Sequence, residues 1–532
     1  MGKCEFDSAD SPKCWGDFNI NTDYNETIPE TNVTREYWLE ATNHTGSADG
    51  IDHLIHSING TVPGPTIHAD WGDWVVVHVT NKLANNGTSI HWHGIRQLLT
   101  SQEDGVVFIT QCPTAPGDSI TYMWRATHQY ALQAWNGVFG GIVINGPATT
   151  PHDEDKGILF LNDWHHTTTD ALWQIAETPG LPPPAANALI NSTNIYTNKT
   201  SGDMTGARFE TTFTSAAHHR LRVINGAIDS HFKFSIDGHN MTVIANDLVA
   251  IEPFTTAVLS VGIGQRYDII VEANQAVGDY WTRAAIDTFY SATNEMQDNI
   301  LGVVRYDPSS TADPESTAYA WTDDCVDEDM DNLVPHLQID AGASSVIKAF
   351  DVALDFSTGV TRWTINGTSF RSGWEEPTLE QAMDDVAVFE DAQQVVRFEV
   401  VDEWVYFVIE STLAITQPVH LHGHDFFVLA QEAGATYDVA TVNLTTTNLT
   451  RRDVAMLPAA GYLVIGFRLD NPDVWLMHCH IGWHASEGFA LQIIERSSEI
   501  EATVDRQKLS DQCSTWDNYV SSSNIEQEDP GI

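Results

Sequence analysis

The sequence predicts an all-β protein made of three sandwich or barrel domains. Three observations carry this. Short runs rich in Val, Ile, Thr and Phe recur along the chain, helical periodicity is scarce, and two composition breaks divide a chain too long for one core.

The strand signal is clearest at Trp74–Thr80, which reads Trp-Val-Val-Val-His-Val-Thr and turns at Asn81. Val258–Gly262, Tyr267–Glu272, Val395–Val401 and Tyr462–Leu469 repeat the pattern, each bounded by Gly, Asn, Asp or Pro. Only Ala171–Ile175 and Thr378–Met383 read as short helices. Gly146-Pro147-Ala148-Thr149-Thr150-Pro151 reads as a linker. The stretch from Asp307 to about Ser345, rich in Ser, Asp, Pro and Ala, reads as a long surface connection. The expected domains are therefore 1–150, 151–335 and 336–532.

The chain has 532 residues and a net charge of −48, with 73 acidic against 25 basic side chains. Such a surface repels phosphate backbones and anionic membranes, which argues against nucleic acid as a partner. It serves solubility first, and could also draw in cationic substrates. No apolar run approaches the ~20 residues of a membrane span. The start Met1-Gly2-Lys3-Cys4 has no apolar segment, so an export leader is expected to lie outside this sequence.

Export itself is expected from eleven Asn-x-Ser/Thr sequons, at Asn25, Asn32, Asn43, Asn59, Asn86, Asn191, Asn198, Asn240, Asn366, Asn443 and Asn448. The expectation is a secreted, glycosylated monomer. Of six cysteines, Cys479 lies between histidines and is set aside for metal. Cys4 and Cys14 could staple the N-terminus, Cys112 and Cys513 could tie the first domain to the C-terminal end, and Cys325 is left over.

The chemistry is concentrated in His478-Cys479-His480, with His484 five residues after the cysteine. On a strand, alternate side chains share a face, so His478 and His480 point one way and Cys479 the other. One tripeptide then serves two sites. Thiolate with imidazole suits copper, and a trigonal set of two histidines and one cysteine is the blue-copper electron-transfer arrangement. Phe489, ten residues after Cys479, stands where a weak axial ligand could sit, and phenylalanine cannot ligate. Two further pairs, His91-Trp92-His93 and His420-Leu421-His422, each put two imidazoles on one strand face. With His478 and His480 they make six imidazoles that could converge on a metal cluster between the first and third domains. The second block has no such pair.

On these motifs the sequence resembles the multicopper oxidases, and among them the laccases of ascomycete fungi. The likeness covers nearly the whole chain. It includes Asn59–Ile67, His91–Gln97, Gln111-Cys112-Pro113, Gly137–Pro147, Arg220–Asn225, Gly264–Asp268, Pro418–Phe426, Trp475–Gln492 and the ending Asp529-Pro530-Gly531-Ile532. It implies three cupredoxin-like Greek-key domains, four coppers, small phenolic substrates and O2. Lignin-like polymers, pigments and plant phenols all fit the family.

By the same resemblance, His91 and His420 would bind the type 2 copper, and His93, His422, His478 and His480 the type 3 pair. Cys479 and His484 would bind type 1. Asp229 matches the substrate-pocket carboxylate, which can accept a phenol proton. Asp73 matches an acid near the trinuclear cluster.

Two departures stand against the family pattern. Gln417 occupies the position of the first type 1 imidazole, and an amide oxygen is a weaker copper donor than imidazole. His424 is nearby but out of register. In the first domain a second His-x-His strand is absent. About eight residues are missing between Arg125-Ala126-Thr127 and Tyr130–Gln133, which leaves His128 and places Thr127 and Gln129 at the ligand positions. The first domain is therefore expected to lack a strand, and fewer than four coppers are expected. The departures favour a copper-binding but catalytically impaired homologue as the alternative to an active laccase. A ferroxidase would need carboxylates clustered by the type 1 site.

Overall fold

The structure is a computed structural model that describes residues 12–127, 137–180, 182–289, 291–442, 444–523, 525 and 531. Cys4, His128, Gln129, Asp529, Pro530, Ile532 and the sequon Asn443 lie outside the described residues.

Each predicted strand forms, at Trp74–Asn81, Leu259–Val261, Arg266–Glu272, Val395–Phe398 and Tyr462–Arg468. The two short helices form at Thr169–Ala176 and Thr378–Met383. The strands assemble into three successive sheet groups. The first group has a four-stranded sheet in the order His53–Ile58, Thr34–Gly46, Trp74–Asn81, Ser119–Arg125, and a pair joining Gly64–Asp70 to Gly140–Asn145. The second and third groups each have a six-stranded and a five-stranded sheet. Alternation drives the packing: in Trp74–Asn81, Val75, Val77 and Val79 are fully buried and the residues between them are not. Each group encloses its own apolar core, centred on residues such as Val77 and Trp124, Val243 and Phe234, and Phe407 and Ile465.

One motif recurs in all three groups. Ile58-Asn59-Gly60-Thr61, Ile190-Asn191-Ser192-Thr193 and Ile365-Asn366-Gly367-Thr368 each close a bridge from Ile to Thr. Each Asn sits at positive φ, a conformation its short side chain tolerates. Its carboxamide sutures the turn to a neighbouring strand. Asn59 accepts from Glu40 N at 2.7 Å and donates to Trp38 O at 3.0 Å. Asn191 does the same with Phe160 N and Ile158 O, and Asn366 with Asp351 N and Ala349 O.

Two features were not expected from the sequence. The connection after Arg305 contains no strand or helix up to Val346, but it is not merely a surface strap. Its Asp327 is buried and accepts from Gln431 Nε2 at 2.8 Å, Met456 N at 2.9 Å and Arg452 Nη1 at 3.3 Å, so it ties the third group to the second. An 18-residue helix, Arg506–Ser523, follows the last strand; its weakly amphipathic, polar sequence concealed it. The helix is fixed by the Cys112–Cys513 disulfide, and Trp516 packs against Phe108 and Trp374. Cys14 is disulfide-bonded, and Cys325 is a buried thiol.

Candidate metal centre

The strand Gln417–Leu421 runs antiparallel to Asp473–Cys479, with Val419 opposite Cys479 and His420 opposite His478. Residues directly opposite share a face. His420 and His478 therefore face one side with their i+2 neighbours His422 and His480. Gln417, Val419 and Cys479 face the other, into the core of the third group. His480 N donates to Pro418 O at 2.7 Å and holds the end of the ladder. The division of His478-Cys479-His480 between two sides is thus present in the backbone register.

His91 and His93 come to the imidazole side from the first group. Ring centroids are 4.1 Å apart for His91 and His422, 3.9 Å for His93 and His420, and 5.3 Å for His422 and His478. His480 Nε2 lies 3.2 Å from His93 Nδ1. Ligand atoms of His91, His93 and His420, and those of His420, His422 and His478, lie within 4.8 Å of one another.

The outer nitrogens explain the orientation. His91 Nδ1 meets the Asp104 carbonyl at 2.8 Å, His420 Nδ1 the Asp453 carbonyl at 2.7 Å, and His478 Nδ1 the Cys479 carbonyl at 2.7 Å. His422 Nδ1 meets the Asp104 carboxylate at 2.8 Å. Donation through Nδ1 leaves the Nε2 lone pair turned inward, as in metal-ligating histidines. The Nε2 atoms of His91, His420 and His422 are buried and have no hydrogen-bond partner. Burial and mutual proximity push His93, His420 and His478 far below the ordinary histidine range, and bring His422 to about 4 and His480 to about 3. These imidazoles are neutral and ready to ligate, so they fit a metal cluster.

Two neighbours had no signal in the sequence. Asp104 is buried between His91 and His422. Burial would raise its carboxyl, but the two histidines hold it well below the usual carboxylate range. Arg266 belongs to the second group, yet its Nη1 lies 3.1 Å from His93 Nε2, and it pairs with Asp453 at 2.6 Å. A single acid within Glu103-Asp104-Gly105 and an arginine on a distant strand become visible only when three groups converge.

On the opposite side, Cys479 Sγ lies 3.6 Å from His484 Nδ1. Trp363 packs on His484 at 4.2 Å and on Phe489 at 5.7 Å. Cys479, Gln417 and Phe489 are all fully buried. Both amide atoms of Gln417 are buried without any hydrogen-bond partner, so a polar group faces the thiol side with nothing to bind. His424 is directed elsewhere, meeting Glu495 at 3.1 Å, which agrees with its being out of register.

Asp229 is 5% exposed and adjoins the His484 turn, because Gly482 N donates to Ile228 O at 2.9 Å. Burial, then Asp163, raises its carboxyl well above the ordinary value. Asp73 immediately precedes the strand Trp74–Asn81. One of its oxygens accepts from Arg35 Nε at 2.8 Å and Asp70 N at 3.1 Å, and the other is buried without a partner. Among the described residues no hydrogen bond joins it to the histidines. Thr127 is buried, and Gln129 lies outside the described residues.

Three family models, each described as multicopper oxidase, match residues 40–149, 155–309 and 360–499. The chain is a multicopper oxidase. Its cofactor is copper, and its three sheet groups are the cupredoxin-like domains of that family. This multicopper oxidase is 47% identical to Laccase-2 of Botryotinia fuckeliana over 547 residues, covering 99% of this chain and 93% of the relative. It superposes on the laccase of Botrytis aclada with a TM-score of 0.94 at 44% identity, covering 99% of each chain. Fet3p, a multicopper oxidase that functions in iron import, shares the fold at a TM-score of 0.80 and 22% identity, covering 91% of this chain and 95% of that one. Among the described residues no helix is long and apolar enough to cross a membrane.

Proposed function

We propose that this multicopper oxidase has laccase activity. It takes one electron and one proton from each of four phenols, and reduces one O2 to two waters with those four electrons and four protons. The observation that carries the reading is the His478-Cys479-His480 tripeptide, which joins a buried thiol site to a six-imidazole cluster through adjacent residues. The identity to Laccase-2 supports it.

His91 and His420 would hold the type 2 copper, His93, His422, His478 and His480 the type 3 pair, and Cys479 and His484 the type 1 copper. Bound copper supplies the one-electron transfers and the O2 reduction. The protein supplies the rest. Asp229, with one oxygen buried and unpartnered, takes the phenol proton. Asp104 fixes His91 and His422, and Asp73 offers its free oxygen to order water. The Nδ1 anchors hold the imidazoles so that loading costs little rearrangement.

The domain division 1–150, 151–335 and 336–532, a secreted monomer carrying glycans, and small phenols as substrates belong to the same proposal. The test is O2 uptake by copper-loaded protein given a phenol. Four phenols consumed per O2, with water as product, is the expected result. No uptake, or peroxide as the product, would contradict it.

A further inference from the structure

Beside the His484 turn lies a set of buried polar atoms of which the reaction described above uses only the Asp229 carboxylate. Asp229 receives the Ala292 amide on one oxygen, while its Oδ2 is buried and unpartnered. His165 hydrogen-bonds the Pro183 carbonyl through one ring nitrogen, and its Nε2 is buried and unpartnered. The Nε1 atoms of Trp483 and Trp173 are likewise buried without partners.

These side chains belong to one neighbourhood. The His165 and Trp483 rings meet edge to face at 6.1 Å. Asp163 accepts the Asp229 amide at 2.8 Å and its charge acts on both Asp229 and His165. The helix Thr169–Ala176 lays Leu172 and Ala176 on the core that contains Ile228 and Trp483, and Trp173 shares that face at i, i+3 from Ala176.

Buried polar atoms are normally satisfied, and leaving one unpaired costs about 1–3 kcal/mol. Here two acceptors, Asp229 Oδ2 and His165 Nε2, stand with two donors, the indole N–H groups. A hydroxyl both donates and accepts, so two hydroxyls complement this set. A methoxy group only accepts and leaves an acceptor unpaired. A metal cation gains from the carboxylate but meets the positive edges of two indoles.

We infer that His165 is a specificity-determining residue: it receives the second hydroxyl of a dihydroxybenzene whose first hydroxyl is received by Asp229. This rests on the laccase reading and adds a two-point recognition to it.

The test measures binding rather than turnover. Fully reduced holoenzyme under argon is titrated with hydroquinone against 4-methoxyphenol, and with catechol against 2-methoxyphenol, following tryptophan fluorescence. In at least one pair the wild type binds the diphenol about tenfold more tightly, which is about 1.4 kcal/mol, the scale of one net hydrogen bond. His165→Phe collapses that preference to near unity, and His165→Gln, which keeps an acceptor, retains most of it. Equal affinities within both pairs in the wild type overturn the inference whether or not the variants fold. So does a preference that survives in folded His165→Phe. If the preference holds but the enzyme consumes no O2 with any phenol, the laccase reading fails and the two-point recognition stands.

Discussion

At Gln417 a neutral amide faces the thiol side of the third domain, in a position with no solvent and no hydrogen-bond partner. An unpartnered buried amide is expensive, and a leucine of similar volume has nothing to leave unpaired. Gln417→Leu should therefore stabilise the copper-free protein by about 1–3 kcal/mol, read as a higher thermal midpoint. A lower midpoint would mean that the amide has partners that the described contacts do not include. Elsewhere the residue scale is better satisfied. His91, His420, His422 and His478 are anchored through Nδ1, and Asp104 serves two of them at once. The histidines were legible because their motifs are local. Asp104 and Arg266 were not, because their value depends on which distant side chain they meet.

At the scale of the element, the two His-x-His segments are held differently. In the third domain the histidine strand Gln417–Leu421 is paired on both edges, by Val454–Leu457 and Asp473–Cys479. The corresponding residues His91-Trp92-His93 lie outside any strand. A cavity lined by Ile90, Trp92, Phe139 and Ile142 adjoins them. The gap expected before Tyr130 falls on residues outside the described ones, and among the described residues His91–His93 pair with no strand. Amide protons of residues 91–93 should accordingly exchange with solvent much faster than those of 419–421. Equal protection of the two segments would show that the first domain has repaired its sheet. The repeated Ile-Asn-Gly/Ser-Thr turn was not legible as a turn in the sequence. It stayed hidden among the sequons, because an Asn that sutures a turn and an Asn that awaits a glycan share one pattern.

At the scale of the whole molecule, three domains are locked together by buried charges while the surface carries an excess of acid. Arg452 reaches Asp247 at 2.8 Å, Arg266 reaches Asp453, and the connection through Asp327 joins both sides. These links hold the second domain against the third beside the imidazole cluster. The net charge of −48 works against compactness through self-repulsion. Raising ionic strength from about 0.01 M to about 0.15 M shortens the screening length from about 30 Å to about 8 Å. The thermal midpoint should rise over that range, since the buried pairs are screened much less than the surface; a fall would place the surface ion pairs in control of stability. The fold class was readable from strand texture. The C-terminal helix was not, because it has a polar sequence and is held by one disulfide and by Trp516.

The central claim is that the imidazole cluster and the thiol site are unequal: the first is built from converging, anchored histidines, and the second lacks an imidazole at Gln417. The most direct measurement is the visible absorption of the copper-loaded chain beside that of Gln417→His, with copper counted in both. The account predicts a weak thiolate-to-copper band in the natural chain and a severalfold stronger one in the variant. A full-strength band in the natural chain, unchanged by the substitution, would contradict it.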